Sequence, residues 1–265
     1  MRLSNLFKRA AGRSAASAEI KKPEAVTWTV PGGEVRELSK MVFDAEHTLI
    51  AGTTGAGKSV LLNGVLRDLL RSKAPCEARL YLIDPKALEL DYLRELPHVD
   101  GYADTDEGAL ELLERVAELM RSRNNYCKER HLRKYPGRAA YVVIDELHAL
   151  MTQELKAKIR PVLSLLLTQA RAANIHIVAL TQCPNRKALP ADVVSLFTLR
   201  IGLRCADKIE SRQIVGTGDC YLLPRYGKVI IKYGPDYMTS RVPMTDDSEV
   251  DELVAYWTGP SCHAA

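Results

Sequence analysis

Eight consecutive residues carry the strongest chemical signal in this chain: Gly52-Thr53-Thr54-Gly55-Ala56-Gly57-Lys58-Ser59 fits the spacing G-x-x-x-x-G-K-[ST]. Glycines at those positions let the backbone curl until successive N–H groups point inward at phosphate oxygens. Lys58 is then set to bridge the β- and γ-phosphates of a nucleoside triphosphate, and the Ser59 hydroxyl to hold Mg2+, with Val60 ending the phosphate-binding segment. The bare pattern arises by chance in roughly one chain in a hundred of this length. Here it also stands between a strand-like run, Thr48-Leu49-Ile50-Ala51, and a stretch whose Leu61/Leu62, Val65/Leu66 and Leu69/Leu70 recur at helical spacing. That is the context the motif requires.

Two more segments end in reactive side chains. Tyr141-Val142-Val143-Ile144-Asp145-Glu146 reads as a buried strand closed by two acids. In open α/β sheets ligands bind at the carboxyl ends of the strands, so Asp145 is a candidate for the Mg2+ shell and Glu146 for orienting and deprotonating an attacking water. Alone, the pair reads equally well as two acids that begin a loop; beside a phosphate loop the catalytic reading is favoured. A glutamate there suits a motor that activates water itself rather than a kinase. Ile177-Val178-Ala179-Leu180-Thr181-Gln182 is again a strand with a polar end. Gln182 is either a sensor of the γ-phosphate or a loop amide satisfied locally.

These groups need a scaffold, and the pattern around them supplies one. Strand-like segments at 26–30, 78–83, 140–144, 175–180 and 197–204 alternate with helical periodicity after the phosphate loop and at 155–172. A further helix is expected near Asp104, with Glu107 completing a capping box. Two short strands, 220–223 and 228–233, and an acidic helix with Val250, Leu253, Val254 and Trp257 on one side close the chain. The pattern predicts an α/β fold with a mostly parallel sheet flanked by helices on both faces. Residues 1–22 carry six basic residues against Glu19 alone and are expected as a mobile basic tail, residues 23–258 as one motor domain and 259–265 as a C-terminal tail.

The 265 residues are 46% apolar with a net charge of +4, enough for a sizeable core and too little charge to argue for nucleic acid by itself. No run approaches the roughly 18 apolar residues of a membrane span, so no integral membrane segment is expected. Six scattered cysteines (Cys76, Cys127, Cys183, Cys205, Cys220, Cys262) lack metal spacing and fit reduced thiols in a cytoplasmic protein. Charge is concentrated instead: seven basic residues from Arg121 to Arg138 share eighteen positions with one acid, Glu129, and with Tyr126 and Tyr135. Such a run is either a solvated face or a surface that tracks DNA phosphates.

The motifs together resemble the FtsK/SpoIIIE family of DNA translocases. The match includes His47 to Val60, then Leu82-Ile83-Asp84-Pro85-Lys86, the Asp145-Glu146 strand, Gln169-Ala170-Arg171-Ala172-Ala173-Asn174-Ile175-His176, Thr181-Gln182, Lys208-Ile209-Glu210-Ser211-Arg212 and Gly216-Thr217-Gly218-Asp219, in the family's order. The resemblance implies a RecA-like P-loop fold, ATP with Mg2+, a hexameric ring, and double-stranded DNA threaded through it. It also implies that Arg171 reaches a neighbour's ATP as an arginine finger; Arg200 and Arg212 compete for that role. Cys183 and Asn185 depart from the arginine and serine of many relatives. The membrane-spanning and winged-helix regions of full-length chromosomal motors have no counterpart, which points to a short stand-alone form suited to a plasmid, integrative element or phage. Other readings are DNA packaging or conjugative transfer through a partner channel, and an ATP-binding assembly scaffold. Ser59, Asp145, Glu146 and Gln182 together count against the scaffold. Neither an Asn-Lys-x-Asp guanine reader nor a Leu-Ser-Gly-Gly-Gln transporter signature is present.

Overall fold

The computed structural model describes residues 27–29, 35–151, 155–182, 189–242 and 247–259. The expected tail 1–22, nearly all of 259–265, and the segment with Cys183 and Asn185 lie outside the described residues. A short antiparallel ribbon, β1 (Thr27–Thr29) with β2 (Val35–Glu37), leads into α1 (Leu38–Asp44). The main sheet comprises β3 (His47–Ala51), β4 (Ala78–Ile83), β5 (Val99–Ala103), β6 (Ala139–Ile144), β7 (Ile175–Thr181), β8 (Leu199–Gly202), β9 (Lys228–Tyr233) and β10 (Asp236–Arg241). Their spatial order is β10-β9-β8-β3-β7-β6-β4-β5. From β8 to β5 all neighbours are parallel, whereas β9 and β10 extend one edge antiparallel. The β1–β2 ribbon lies against β10.

Side-chain alternation builds the layers. Leu80 and Leu82 of β4, with Tyr141 and Val143 of β6, join the core under α1, α2 (Lys58–Ser72) and α8 (Asp247–Thr258). Tyr81, Ile83, Val142 and Ile144 point the other way. They pack under α3 (Asp106–Glu129), α4 (Leu147–Leu150), α5 (Lys156–Gln169) and α6 (Ala191–Ser195). Central strands buried on both faces need the near-continuous apolar runs seen here. A smaller cluster joins Ala51, Cys205, Cys220 and Ile230 to Ile214 of α7 (Lys208–Val215). The last helix is part of the same body: Trp257 Nε1 donates to the Leu70 carbonyl at 2.9 Å, and buried Arg67 pairs with Glu249 at 2.9 Å.

Two local expectations are corrected. The α3 cap is Thr105, not Asp104: its extended backbone turns the hydroxyl to accept from Gly108 N–H at 3.1 Å. The segment expected as a strand at 220–223 is instead a 3-10 turn, Asp219–Leu222. The Ser211 hydroxyl accepts the Cys220 N–H at 3.0 Å, and the Cys220 carbonyl accepts from Leu223 and Cys205 at 3.3 Å, so the backbone is satisfied without a ladder. Tyr221 and Leu222 face solvent.

Candidate functional site

The loop from Gly52 to Gly57 joins β3 to α2. Gly55 (φ 72°) and Gly57 (φ 97°) hold left-handed conformations that a side chain resists, and Gly57 caps α2. Gly52 is needed for space, since a Cβ there would lie 2.8 Å from Leu203 Cβ. The loop is tied to both neighbouring strands. Gly52 N–H donates to the Thr181 carbonyl of β7 at 3.3 Å, and Thr53 donates through N–H (2.9 Å) and Oγ1 (3.1 Å) to the Arg204 carbonyl just beyond β8. Lys58 Nζ folds back over the loop, donating to the Gly52 and Thr53 carbonyls at 2.9 and 3.1 Å. The first turn of α2 adds N–H groups without helical partners and the positive end of a helix dipole.

Asp145 leaves β6 with its N–H bonded to the Ile83 carbonyl at 3.0 Å. Its side chain is nearly buried. Burial first, then the negative charges of Asp84, Glu89 and Glu146, push the Asp145 carboxyl up to about 7, with Lys86 working against them. This excess of buried negative charge fits a divalent cation, whose presence would favour the ionised form. Among the described residues no group of three or more His, Cys, Asp or Glu forms a ready-made metal cage. A cation here would therefore draw on Ser59, Asp145 and phosphate oxygens. Glu146, also buried, accepts the Gln182 backbone N–H at 3.1 Å through Oε1. One cleft of about 660 Å³ brings together Lys58, Ser59, Asp145, Glu146 and Gln182. Thr54, Gly55, Gly57 and Val60 also face it, whereas Gly52, Thr53 and buried Ala56 shape the loop from behind.

Arg171 stands elsewhere. It lies between α5 and β7, at the amino end of a seven-residue strand whose other end carries Gln182, about 20 Å away. Its side chain is 77% exposed and pairs with Glu46 at 2.6 Å. Of its competitors, Arg200 is half-buried and donates to the Ile214 carbonyl at 3.1 Å, and Arg212 is exposed on α7. Sequence spacing gave no role to Asp84, which is fully buried. It accepts N–H groups from Glu89 and Leu90 at 2.9 Å each and from Lys86 at 3.3 Å, curling the segment after β4 so that Lys86, Leu88 and Glu89 wall the cleft. Tyr226, from the loop before β9, forms another part of the wall that no motif announced.

The sequence profile of the FtsK/SpoIIIE family matches residues 21–218, three quarters of the chain. The chain belongs to the FtsK/SpoIIIE family. Among curated relatives, the DNA translocase FtsK of Sporosarcina ureae is 31% identical over 269 residues, covering 91% of this chain and 34% of its own length. The chain thus spans about a third of the curated relatives it matches. Among solved structures, the pCW3 conjugation coupling protein TcpA, in a monomer form with ATPgS, has a TM-score of 0.72 at 22% identity, covering 89% of this chain and 71% of that one. EssC (ATPases 2 and 3) from Geobacillus thermodenitrificans also reaches 0.72, at 18% identity, covering 93% and 49%. These likenesses establish the P-loop ATPase fold.

Set on this FtsK/SpoIIIE scaffold, the basic run divides. Arg123 is buried and donates to the Ala173 and Asn174 carbonyls at 3.0 and 3.3 Å, 4.6 Å from the Tyr135 ring. It joins α3 to the start of β7 and is not a phosphate contact. Tyr126 and Tyr135 pack edge to face at 5.5 Å, with the Arg130 guanidinium 4.0 Å from the Tyr126 ring. Arg121, Lys128, Arg130, Arg133, Lys134 and Arg138 remain exposed. No helix among the described residues is long and apolar enough to cross a membrane.

Proposed function

We propose that this chain is the motor unit of an ATP-driven translocase that moves double-stranded DNA through a homo-oligomeric ring, hexameric as the family resemblance implies, in the cytoplasm. The convergence of Lys58, Ser59, Asp145, Glu146 and Gln182 in one cleft carries the proposal. ATP would lie along the loop with its β- and γ-phosphates against Lys58 and the N–H groups of Gly55 to Ser59. Ser59 and Asp145 would hold Mg2+, which supplies charge neutralisation at the phosphates. Glu146, steadied by the Gln182 N–H, orients the attacking water and accepts its proton. The Gln182 side chain reports loss of the γ-phosphate along β7. Arg171, exposed and remote from its own cleft, would act on the ATP of the next subunit. The exposed basic residues after Arg121 would grip backbone phosphates without reading bases.

The test is ATP hydrolysis with and without linear duplex DNA, at two salt concentrations, for wild type and Arg171→Ala. The proposal expects stimulation by DNA that weakens with salt and disappears in Arg171→Ala while ATP still binds. Hydrolysis indifferent to DNA would overturn it and shift the reading to packaging or transfer through a partner channel.

A further inference from the structure

We infer that Tyr226 is the platform on which the nucleobase stacks, an inference that rests on the nucleotide reading of the cleft. Strand order sets the direction of a bound triphosphate. The acids and Gln182 stand at the ends of β6 and β7, on one side of β3, while β8 and β9 lie on the other. A terminal phosphate directed at Glu146 and Gln182 sends the α-phosphate and its nucleoside the opposite way, over the ends of β8 and β9. Tyr226 stands there, two residues before β9, on the wall of the same cleft as Thr54 and Gly55.

The ring has the surroundings of a stacking surface. Tyr226 is 58% exposed where it borders the cleft, so its ring is accessible to a ligand. The Arg225 guanidinium lies 5.2 Å from the ring centroid, and its Nη2 comes within 3.5 Å of where a Cβ on Gly55 would be. One face of the phenol thus has a guanidinium over it that also reaches the phosphate loop, and the opposite face would take the base. Guanidinium, phenol and base would form three layers, an order that both cation–π attraction and base stacking favour. A phenol face reads stacking area, not the donor and acceptor edge of a base, so this platform selects for a flat heterocycle.

Equilibrium binding of Mg2+-ATP and of Mg2+-tripolyphosphate, which has the phosphates and no base, separates the two contributions in the full chain. Wild type should hold ATP at least about tenfold more tightly than tripolyphosphate, in line with the usual loss on removing a stacking side chain. Tyr226→Ala should remove most of that preference while leaving tripolyphosphate affinity unchanged, and Tyr226→Phe should restore it. Unchanged tripolyphosphate binding also certifies that the alanine variant is folded. Equal losses for both ligands in Tyr226→Ala, or an ATP preference that survives it, overturn the platform and leave the phosphate site standing. Wild type that binds neither ligand overturns the nucleotide reading and this inference with it.

Discussion

Asp145 shows how the site conflicts with its own stability. An ionised carboxylate between Asp84, Glu89 and Glu146, away from water, is unfavourable, and the group holds its proton up to about 7. The unfolded chain releases that proton near 4, so between about 4 and 7 the native state binds more protons. This group's contribution to stability is therefore present in full below about 4 and lost as pH rises through 7. Asp145→Asn should stabilise the nucleotide-free protein at pH 8 by on the order of a few kcal/mol, read as a melting temperature higher by several degrees, while removing Mg2+-dependent hydrolysis. A melting temperature that falls at pH 8 would refute the account. Glu146→Gln separates binding from chemistry. ATP affinity, measured by titration, should stay within a few-fold of wild type, and steady-state hydrolysis should drop at least about a hundredfold.

At the scale of elements, the sheet is pinned through histidines. His47 is buried at the start of β3, and its Nδ1 accepts the Ile177 N–H of β7 at 3.2 Å. His176 joins β7 to the Ala45 carbonyl at 2.7 Å and to Asn174 Oδ1 at 3.2 Å. Burial and the neighbouring His176 lower the His47 pKa to about 4. Because the unfolded imidazole titrates near 6.5, the stability this neutral ring contributes is lost as pH falls from about 6.5 to 4. His47→Asn should be less stable than wild type at pH 7 and lose less over that window; parallel melting curves for the two would refute it. The same elements show what periodicity can and cannot reveal. Both β4 and β9 occupy the stretches read from the sequence, 78–83 and 228–233, because each is centred on an apolar run, Leu80–Ile83 and Val229–Ile231, that burial requires. In contrast, β5 (Val-Asp-Gly-Tyr-Ala) was illegible: an edge strand half open to water needs no such run. The apolar stretch after Asp219 misled because its backbone found partners in a side chain and a neighbouring loop. The phosphate loop and acid pair were legible since their chemistry fixes residue types. Asp84 and Tyr226 were not, for their roles depend on where a loop folds.

At the scale of the molecule, the cleft and Arg171 stand at opposite ends of the sheet. The cleft opens at the carboxyl ends of the strands, while Arg171 and much of the exposed basic surface lie toward the amino ends. If Arg171 completes a neighbour's site, Arg171→Ala and Glu146→Gln, each without DNA-stimulated hydrolysis alone, should complement when mixed before assembly. In a random equal mixture about a quarter of the head-to-tail contacts would join an intact Glu146 to an intact Arg171. ATPase activity should recover in the mixture and not in separate rings. No recovery, with mixed rings verified, would place the finger on the same subunit or on another arginine.

The two margins of the sheet restrict how copies can meet. On one side β10 has the β1–β2 ribbon beside it; on the other, β5 is five residues long and its Asp100 is engaged by Arg79 and Tyr81. Among the described residues, both features work against a second copy hydrogen-bonding onto either margin. In the ring proposed above, contact between copies would then fall to loops and helices, whose side chains slide and exchange partners without unzipping backbone pairs. A ring built that way can reseat its joints at every turnover and still keep each subunit whole.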